Sequence, residues 1–267
     1  MNARDSRYAM ASVAPDAERA RLEKLQAIHD SGTLARLDRL SIGRGMNCLE
    51  VGAGAGSIAR ALAERVGREG RVVAADMDPR FLDDFTGEGR TVVTHDITKG
   101  AVPPRDFDFV HCRAVLAHVE NIAGAARNLV DSARPGGLVF CEEPDYGGSE
   151  ACDPAHPYAP VFAEYMAGVM AGERMDPLAG RHVFAALRAV GLEEVETEIS
   201  SQIVMGGSFR ARYRKETMVN MREIAVTRGS YTEESFQDLM DCFDDPTFAY
   251  MDAPWVGIWG RRRGGSA

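Results

Sequence analysis

The sequence predicts an α/β fold, a parallel sheet covered by helices on both faces. Three observations carry the prediction. Short apolar runs recur at 46–51, 72–76, 91–95, 107–112 and 138–142, close to continuous rather than alternating, as strands buried on both faces are. Helical periodicity follows, with Ile58, Leu62 and Val66 after the first run and Ile122, Ala125, Ala126, Leu129, Val130 and Ala133 after the fourth. Glycine and proline punctuate the joints, at Gly52-Ala53-Gly54-Ala55-Gly56, Gly70, Pro79 and Pro135-Gly136-Gly137.

Each element follows from local pattern. Residues 1–15 form a polar arm carrying Tyr8. Leu22, Leu25 and Ile28 share the face of a helix that Asp16 can cap, and a second short helix spans 33–40 before the Gly43-Arg44-Gly45 turn. Strand 46–51, the glycine turn and helix 57–67 come next. A second strand ends at Asp76, and Pro79, a favoured first helical residue, opens a further helix. A third strand, 91–95, leads into Asp96-Ile97, and a fourth, 107–112, follows the Gly/Pro-rich loop 100–106. A helix and a fifth strand, 138–142, complete this part. After Pro144 the character changes. A loop spans 145–157, helices are expected over 158–174 and 180–191, and 192–204 reads as one extended strand. Helices over 208–227 (Phe209, Tyr213, Met218, Met221, Ile224) and 232–243 precede a last strand, 255–259, and the basic Arg261-Arg262-Arg263.

Composition narrows the function classes. The 267 residues suffice for one large domain with a sizeable core. A net charge of −9 argues against a nucleic-acid partner, whose phosphates need a basic footprint. No run reaches the ~18 apolar residues of a membrane span, and residues 1–20 lack the apolar stretch of a signal peptide. Cys48, Cys112, Cys141, Cys152 and Cys242 include no CxxC pair and read as reduced thiols. The cytoplasm and no membrane partner are therefore expected. His, Asp and Glu show no metal-ligand spacing, so no metal is expected.

The glycine turn is the first candidate for chemistry. A strand, a tight glycine turn and a helix start let backbone approach a ligand closely and offer free N–H groups to it. A dinucleotide turn needs G-x-G-x-x-G, whereas Gly52-x-Gly54-x-Gly56-Ser57 puts a glycine one place early and serine where the third glycine belongs. Glu50 stands two residues before Gly52. Asp76, ending the second strand, can accept both hydroxyls of a ribose. Asp96, ending the third, can accept an adenine amine, with Ile97 against the ring. Singly, each acid also reads as a solvated loop residue; together they form a specific constellation.

Glu50-Val-Gly-Ala-Gly-Ala-Gly56, Val73-Ala-Ala-Asp76, His95-Asp96-Ile97, Phe107-Asp-Phe-Val-His111 and Arg134-Pro-Gly-Gly137 resemble the successive motifs of class I S-adenosylmethionine-dependent methyltransferases, of the bacterial small-molecule, natural-product type. The likeness covers about 20–143 and is general beyond 145. It implies a Rossmann-like three-layer sandwich with a seven-stranded, mostly parallel sheet of order 3-2-1-4-5-7-6 and helical cap insertions. Residues 1–45 would form a helical arm or lid. Residues 46–267 would form the methyltransferase domain, with substrate-cap additions at about 145–178 and 205–250. By the same resemblance Gly52, Ala53 and Gly54 cradle the methionine part of S-adenosyl-L-methionine, whose product is S-adenosyl-L-homocysteine. Glu50 orders the turn or reaches the amino group through water, Asp76 holds the ribose, Met77 packs under the adenine, Asp96 and Ile97 recognise it, and Arg113 lies beside the methionine moiety. Tyr8 either closes over the cofactor or belongs to a disordered arm.

The acceptor side is less defined. His118 reads as the general base for a hydroxyl nucleophile or as a helix-start histidine that only packs. His111 reads as core or as a residue supporting the site from behind. Glu142, Glu143, Asp145 and Tyr146 leave the fifth strand as an acid-rich loop that could orient a hydroxyl or attract an amine, or that is simply solvated. Tyr165, Met166, Tyr213, Met218 and Met221 have helical spacing, so they pack on the sheet or line an apolar acceptor pocket. The expected reaction is methylation of a small, partly apolar metabolite, at oxygen by frequency of type. N- or C-methylation of a small molecule or peptide and a non-methylating protein of the same fold, a cyclase or binding partner, are the alternatives. A homo-oligomer is possible.

Overall fold

A computed structural model describes residues 14–172, 175–222 and 231–264. They divide into two compact units. One gathers the described part of Met1–Leu25 with Pro144–Leu178 and Ile199–Trp255; the other comprises Gln26–Glu143, Ala179–Glu198 and the described part of Val256–Ala267.

The second unit is built on the sheet. Its strands are β1 (Asn47–Val51), β2 (Arg71–Asp76), β3 (Arg90–Thr94), β4 (Phe107–Arg113), β5 (Ala133–Pro144), β6 (Leu192–Ser200) and β9 (Trp255–Arg262). The order is β3-β2-β1-β4-β5-β9-β6, the arrangement the resemblance implies once β9 is counted as the seventh sheet strand. The pairs β1–β2, β1–β4, β2–β3 and β4–β5 are parallel. Strand parity then sorts the side chains. Leu49, Val51, Val73, Ala75, Val110, Cys112, Val139 and Cys141 enter one apolar layer, with helices α3 (Ile122–Ser132) and α5 (Ala179–Ala189). Cys48, Val72, Ala74, Phe109 and Phe140 enter the other, with α2 (Ser57–Val66) and Leu37 of helix α1 (Pro15–Arg39). Glu50, His111 and Glu142 have the parity of this second layer. Register sets Glu50 beside His111 and Arg113 beside Glu142.

Several sequence expectations need correction. The helices expected to either side of Ser31-Gly32 are one continuous helix, α1. A single glycine costs a helix only about 1 kcal/mol, and acids in the first turn and arginines in the last suit its dipole. No α-helix starts at Pro79. Phe81 and Leu82 are buried just before a 3-10 turn, Asp83–Phe85, whose Phe85 is buried too, and glycines of positive φ at 87 and 89 follow it. The strand expected over 192–204 is two. Beyond β6, Asp252 donates its amide to the Gln202 carbonyl and Ser201 donates its hydroxyl to the Asp252 carbonyl. The chain thereby turns into β7 (Ile203–Met205), antiparallel to β8 (Ala249–Met251). β8 was not read from sequence: three residues are too few to show a period.

The first unit packs β7 and β8 with helices α4 (Ala159–Met170), α6 (Phe209–Asn220) and α7 (Glu233–Asp244). Phe162, Phe243, Phe248 and Tyr250 fill its core, their rings 4.7–6.1 Å apart in the pairs Phe162–Tyr250 and Phe243–Tyr250. Tyr8 and Ile224 lie outside the described residues.

Candidate functional site

The glycine turn joins β1 to α2. Gly52, Gly54 and Gly56 all have positive φ, at 69°, 53° and 83°. A Cβ on Gly52 would stand 2.2 Å from Cγ2 of Val115, so a side chain is excluded there by space as well as by backbone angle. The turn is fastened to the end of β2. Gly52 N–H donates to the Ala75 carbonyl at 2.8 Å, and Gly54 N–H donates to Asp76 Oδ2 at 2.8 Å. The other oxygen, Oδ1, accepts from Asp78 N–H at 2.9 Å. Burial pushes the Asp76 carboxyl above its usual range, against these backbone bonds, and among the described residues no cation is paired with it. Gly56 caps α2 without a side-chain bond to the first-turn amides.

The neighbouring strand ends add to this edge. Met77 is 52% exposed directly after Asp76. Asp96 Oδ1 accepts from the Thr98 amide and hydroxyl, which leaves Oδ2 outside that turn. Ile97 sits in the apolar layer under α3, so its side chain supports the edge from below.

Behind the turn lies a polar network that the sequence did not reveal. His111 is fully buried; Nδ1 lies 2.7 Å from Glu50 Oε2 and Nε2 lies 3.2 Å from Glu142 Oε2. Burial alone would lower the imidazole, but the charges and hydrogen bonds of Glu50 and Glu142 raise it from 6.5 to about 9. At neutral pH both ring N–H groups therefore donate. Burial pushes Glu142 up, yet the His111 hydrogen bond and charge, with Arg113 and Thr33, hold it below its usual range. Helix α1 supplies the rest. Arg36 Nη1 donates to Glu142 Oε1 at 2.8 Å, and the Thr33 hydroxyl donates to Glu142 Oε2. Arg113 Nη1 donates to Thr33 Oγ1 at 2.9 Å and Nη2 to Asp30 Oδ1 at 2.7 Å. Asp30 also accepts from Ser57 Oγ at 3.2 Å.

Glu143 is turned the other way and is fully buried. Its carboxylate accepts from the amides of Val115, Leu116 and Ala117 at 3.0, 2.7 and 3.2 Å. Burial pushes it up to about 7 in spite of those three bonds. It thus holds the 3-10 turn Leu116–His118 in place, and the half-buried His118 closes that turn.

In the first unit Tyr165, Met166 and Met218 are buried in the core, whereas Tyr146, Tyr213 and Met221 are half-buried. Asp145 accepts from the Gly147 amide and Tyr146 N–H donates to the Pro177 carbonyl. The sequence missed Arg214. Its guanidinium lies over the rings of Tyr146 and Tyr250 at 5.5 and 5.7 Å, donates to the Tyr165 hydroxyl at 3.1 Å, and pairs with Asp252. Tyr213 accepts from Arg21 at 3.3 Å. An arginine on a polar-patterned helix carries no signal of burial.

Residues 22–196 match the family model described as "Methyltransferase domain". The chain belongs to the methyltransferase domain family. Its fold is that of class I S-adenosylmethionine-dependent methyltransferases. A methyltransferase of Strobilurus tenacellus, str3, is 28% identical over 131 residues, which is 48% of this chain and 47% of that protein; the match spans about half of either. Among solved structures, a putative methyltransferase from Bacillus halodurans aligns with a TM-score of 0.56 at 18% identity, covering 86% of this chain and 98% of that one. Phosphoethanolamine N-methyltransferase 2 of Haemonchus contortus aligns at 0.54 and 16%, covering 87% and 52%. The [4+2]-cyclase SpnF aligns at 0.51 and 17%, covering 88% and 81%. These likenesses concern the fold.

The strand-end residues fit S-adenosylmethionine, the cofactor of the family. A desolvated carboxylate at Asp76, with no cation paired to it among the described residues, suits two hydroxyl donors. A glycine turn with uncapped first-turn amides suits a polar amino-acid end, and an exposed methionine beside it suits a flat ring. Among the described residues no group of three or more His, Cys, Asp or Glu is placed to hold a metal ion.

Proposed function

We propose that this protein methylates a small, partly apolar metabolite at oxygen, in specialised metabolism and in the cytoplasm. The observation that supports it most is the glycine turn bonded through Gly54 to the Asp76 carboxylate, within a chain of the methyltransferase domain family. When bound, S-adenosylmethionine supplies a methyl group already activated by a sulfonium. The protein's task is to bind, align and exclude water. In this reading Glu50, Gly52, Ala53, Gly54 and Arg113 serve the amino-acid end, Asp76 the ribose, and Met77, Asp96 and Ile97 the adenine. Glu143 fixes the turn that carries His118, and an imidazole nitrogen of His118 takes the proton from the acceptor hydroxyl. Tyr146, Tyr165, Met166, Tyr213, Met218 and Met221 belong to the acceptor side, with Asp145 shaping the loop. A helical arm over 1–45 that includes Tyr8, and cap additions at about 145–178 and 205–250, complete the assignment.

Release of S-adenosylhomocysteine with a panel of phenols, carboxylic acids and primary amines tests it. Phenol-dependent release is expected. His118→Ala lowers turnover on the order of a hundredfold at unchanged cofactor affinity, and unchanged turnover would make His118 structural. Release with amines alone supports N-methylation, the chemistry named for the Haemonchus contortus neighbour. Cofactor binding without release from any acceptor supports a non-methylating protein, as the cyclase neighbour illustrates.

A further inference from the structure

The hydrogen bonds behind the glycine turn form one continuous chain. It runs from Glu50, two residues before Gly52, to His111, Glu142, Thr33, Arg113, Asp30 and finally Ser57, the first residue of α2. Both ends of the turn are therefore tied to the same buried network, with β4, β5 and α1 between them. We propose that His111 is a positioning residue for the cofactor's amino-acid end, bridging Glu50 and Glu142 so that the Glu50 carboxylate is held at the mouth of the turn.

The geometry supports this in three steps. His111 takes only Oε2 of Glu50, and Oε1 remains for the positively charged amino group of a ligand seated on the turn. Glu50 is 3% exposed, and among the described residues His111 is the cation bonded to it. A buried carboxylate that loses its bonded cation also loses the contact that fixes its orientation toward a ligand's ammonium. The groups around His111 also keep it charged. Glu50 faces it from β1 and Glu142 from β5. Arg36 and Thr33 of α1 stand behind Glu142, and Arg113 of β4 and Asp30 of α1 extend the network. Arg36 is paired in turn with Glu198 of β6. The rings of Phe109 and Phe140 pack on the imidazole at 6.2 and 4.9 Å and keep water out. The raised imidazole, near 9, agrees with this surrounding.

The proposal rests on Glu50 serving the amino-acid end of the cofactor, and the experiment separates the two. S-adenosylhomocysteine and 5′-methylthioadenosine share the nucleoside, but only the first carries the amino acid. Calorimetry at pH 7.5 is expected to show His111→Gln binding S-adenosylhomocysteine roughly tenfold or more weakly, with methylthioadenosine affinity unchanged. Equal weakening of both ligands, or of neither, overturns the proposal. Wild type that binds neither overturns the cofactor reading and the proposal with it. Should His111→Gln fail to fold, Glu142→Gln keeps the Glu50–His111 pair and removes one group that raises the imidazole. Wild-type affinity for S-adenosylhomocysteine is expected to fall as pH rises past about 9. In Glu142→Gln that fall begins at lower pH. The ligand's own amine titrates identically in both, so a coincident midpoint overturns the proposal.

Discussion

Asp76 shows how much one carboxylate does at this edge. It fastens the turn through Gly54, bonds the Asp78 amide, and stays partly desolvated with no cation paired to it among the described residues. Asp76→Ala is expected to weaken S-adenosylhomocysteine binding by about 1–3 kcal/mol, the range for losing hydrogen bonds to a charged group. Calorimetry reads this directly, and unchanged affinity removes Asp76 from the site. This residue was legible because strand, turn and acid follow one another in the chain. His111 was not. Its two carboxylates come from β1 and β5, and Thr33 and Arg36 come from α1, with more than a hundred residues between Thr33 and Glu142. Spacing along the chain carries no trace of such a meeting. Glu143 was read as an acid leaving its strand toward an acceptor. Parity instead turns it away from Glu142 and onto the amides that start the His118 turn.

At the scale of elements, the strands were legible because near-continuous apolar runs bounded by glycine leave few alternatives, and their order was legible only through the family resemblance. Breaks were harder to read. The split of 192–204 into β6 and β7 depends on backbone bonds to Gln202 and Asp252, and the continuity of α1 through Gly32 on packing that outweighs a local propensity. The turn between β1 and α2 makes a testable element. Gly52→Ala brings a Cβ to 2.2 Å from Val115 Cγ2 and places alanine at a φ of 69°. Val115 is β-branched and cannot swing aside freely. The variant should lose 2 kcal/mol or so of stability, roughly half from each source, with weaker cofactor binding. Adding Val115→Ala relieves only the steric half. Urea midpoints of the single and double variants check this, and a double variant no better than the single would locate the whole cost in the backbone.

At the scale of the molecule, the buried titratable groups set how stability varies with pH. His111 binds its proton more tightly folded, near 9, than unfolded, at 6.5. Its stabilisation is complete below pH 6.5 and lost as pH rises through 9. Glu143 acts in the same sense, because burial raises it from 4.5 to about 7, so the cost of ionising it grows between those values. Glu142 acts oppositely. Held low by His111, it stabilises above 4.5 and loses that contribution as pH falls through its depressed value. The summed contribution of the three is greatest near pH 5 and declines toward pH 9.5. Trp259 stacks edge-on to Phe140, which packs against His111, so its fluorescence reports the unit that holds all three groups. Urea midpoints followed by that signal should fall from pH 5.5 to 7.5 and again from 7.5 to 9.5. His111→Gln, starting lower, should keep most of the first step, which Glu143 dominates, and lose the second. A wild-type midpoint that holds level or rises between pH 7.5 and 9.5 would show that the imidazole gives up its proton without cost, and that the Glu50–His111–Glu142 bridge does not hold the charge its geometry calls for.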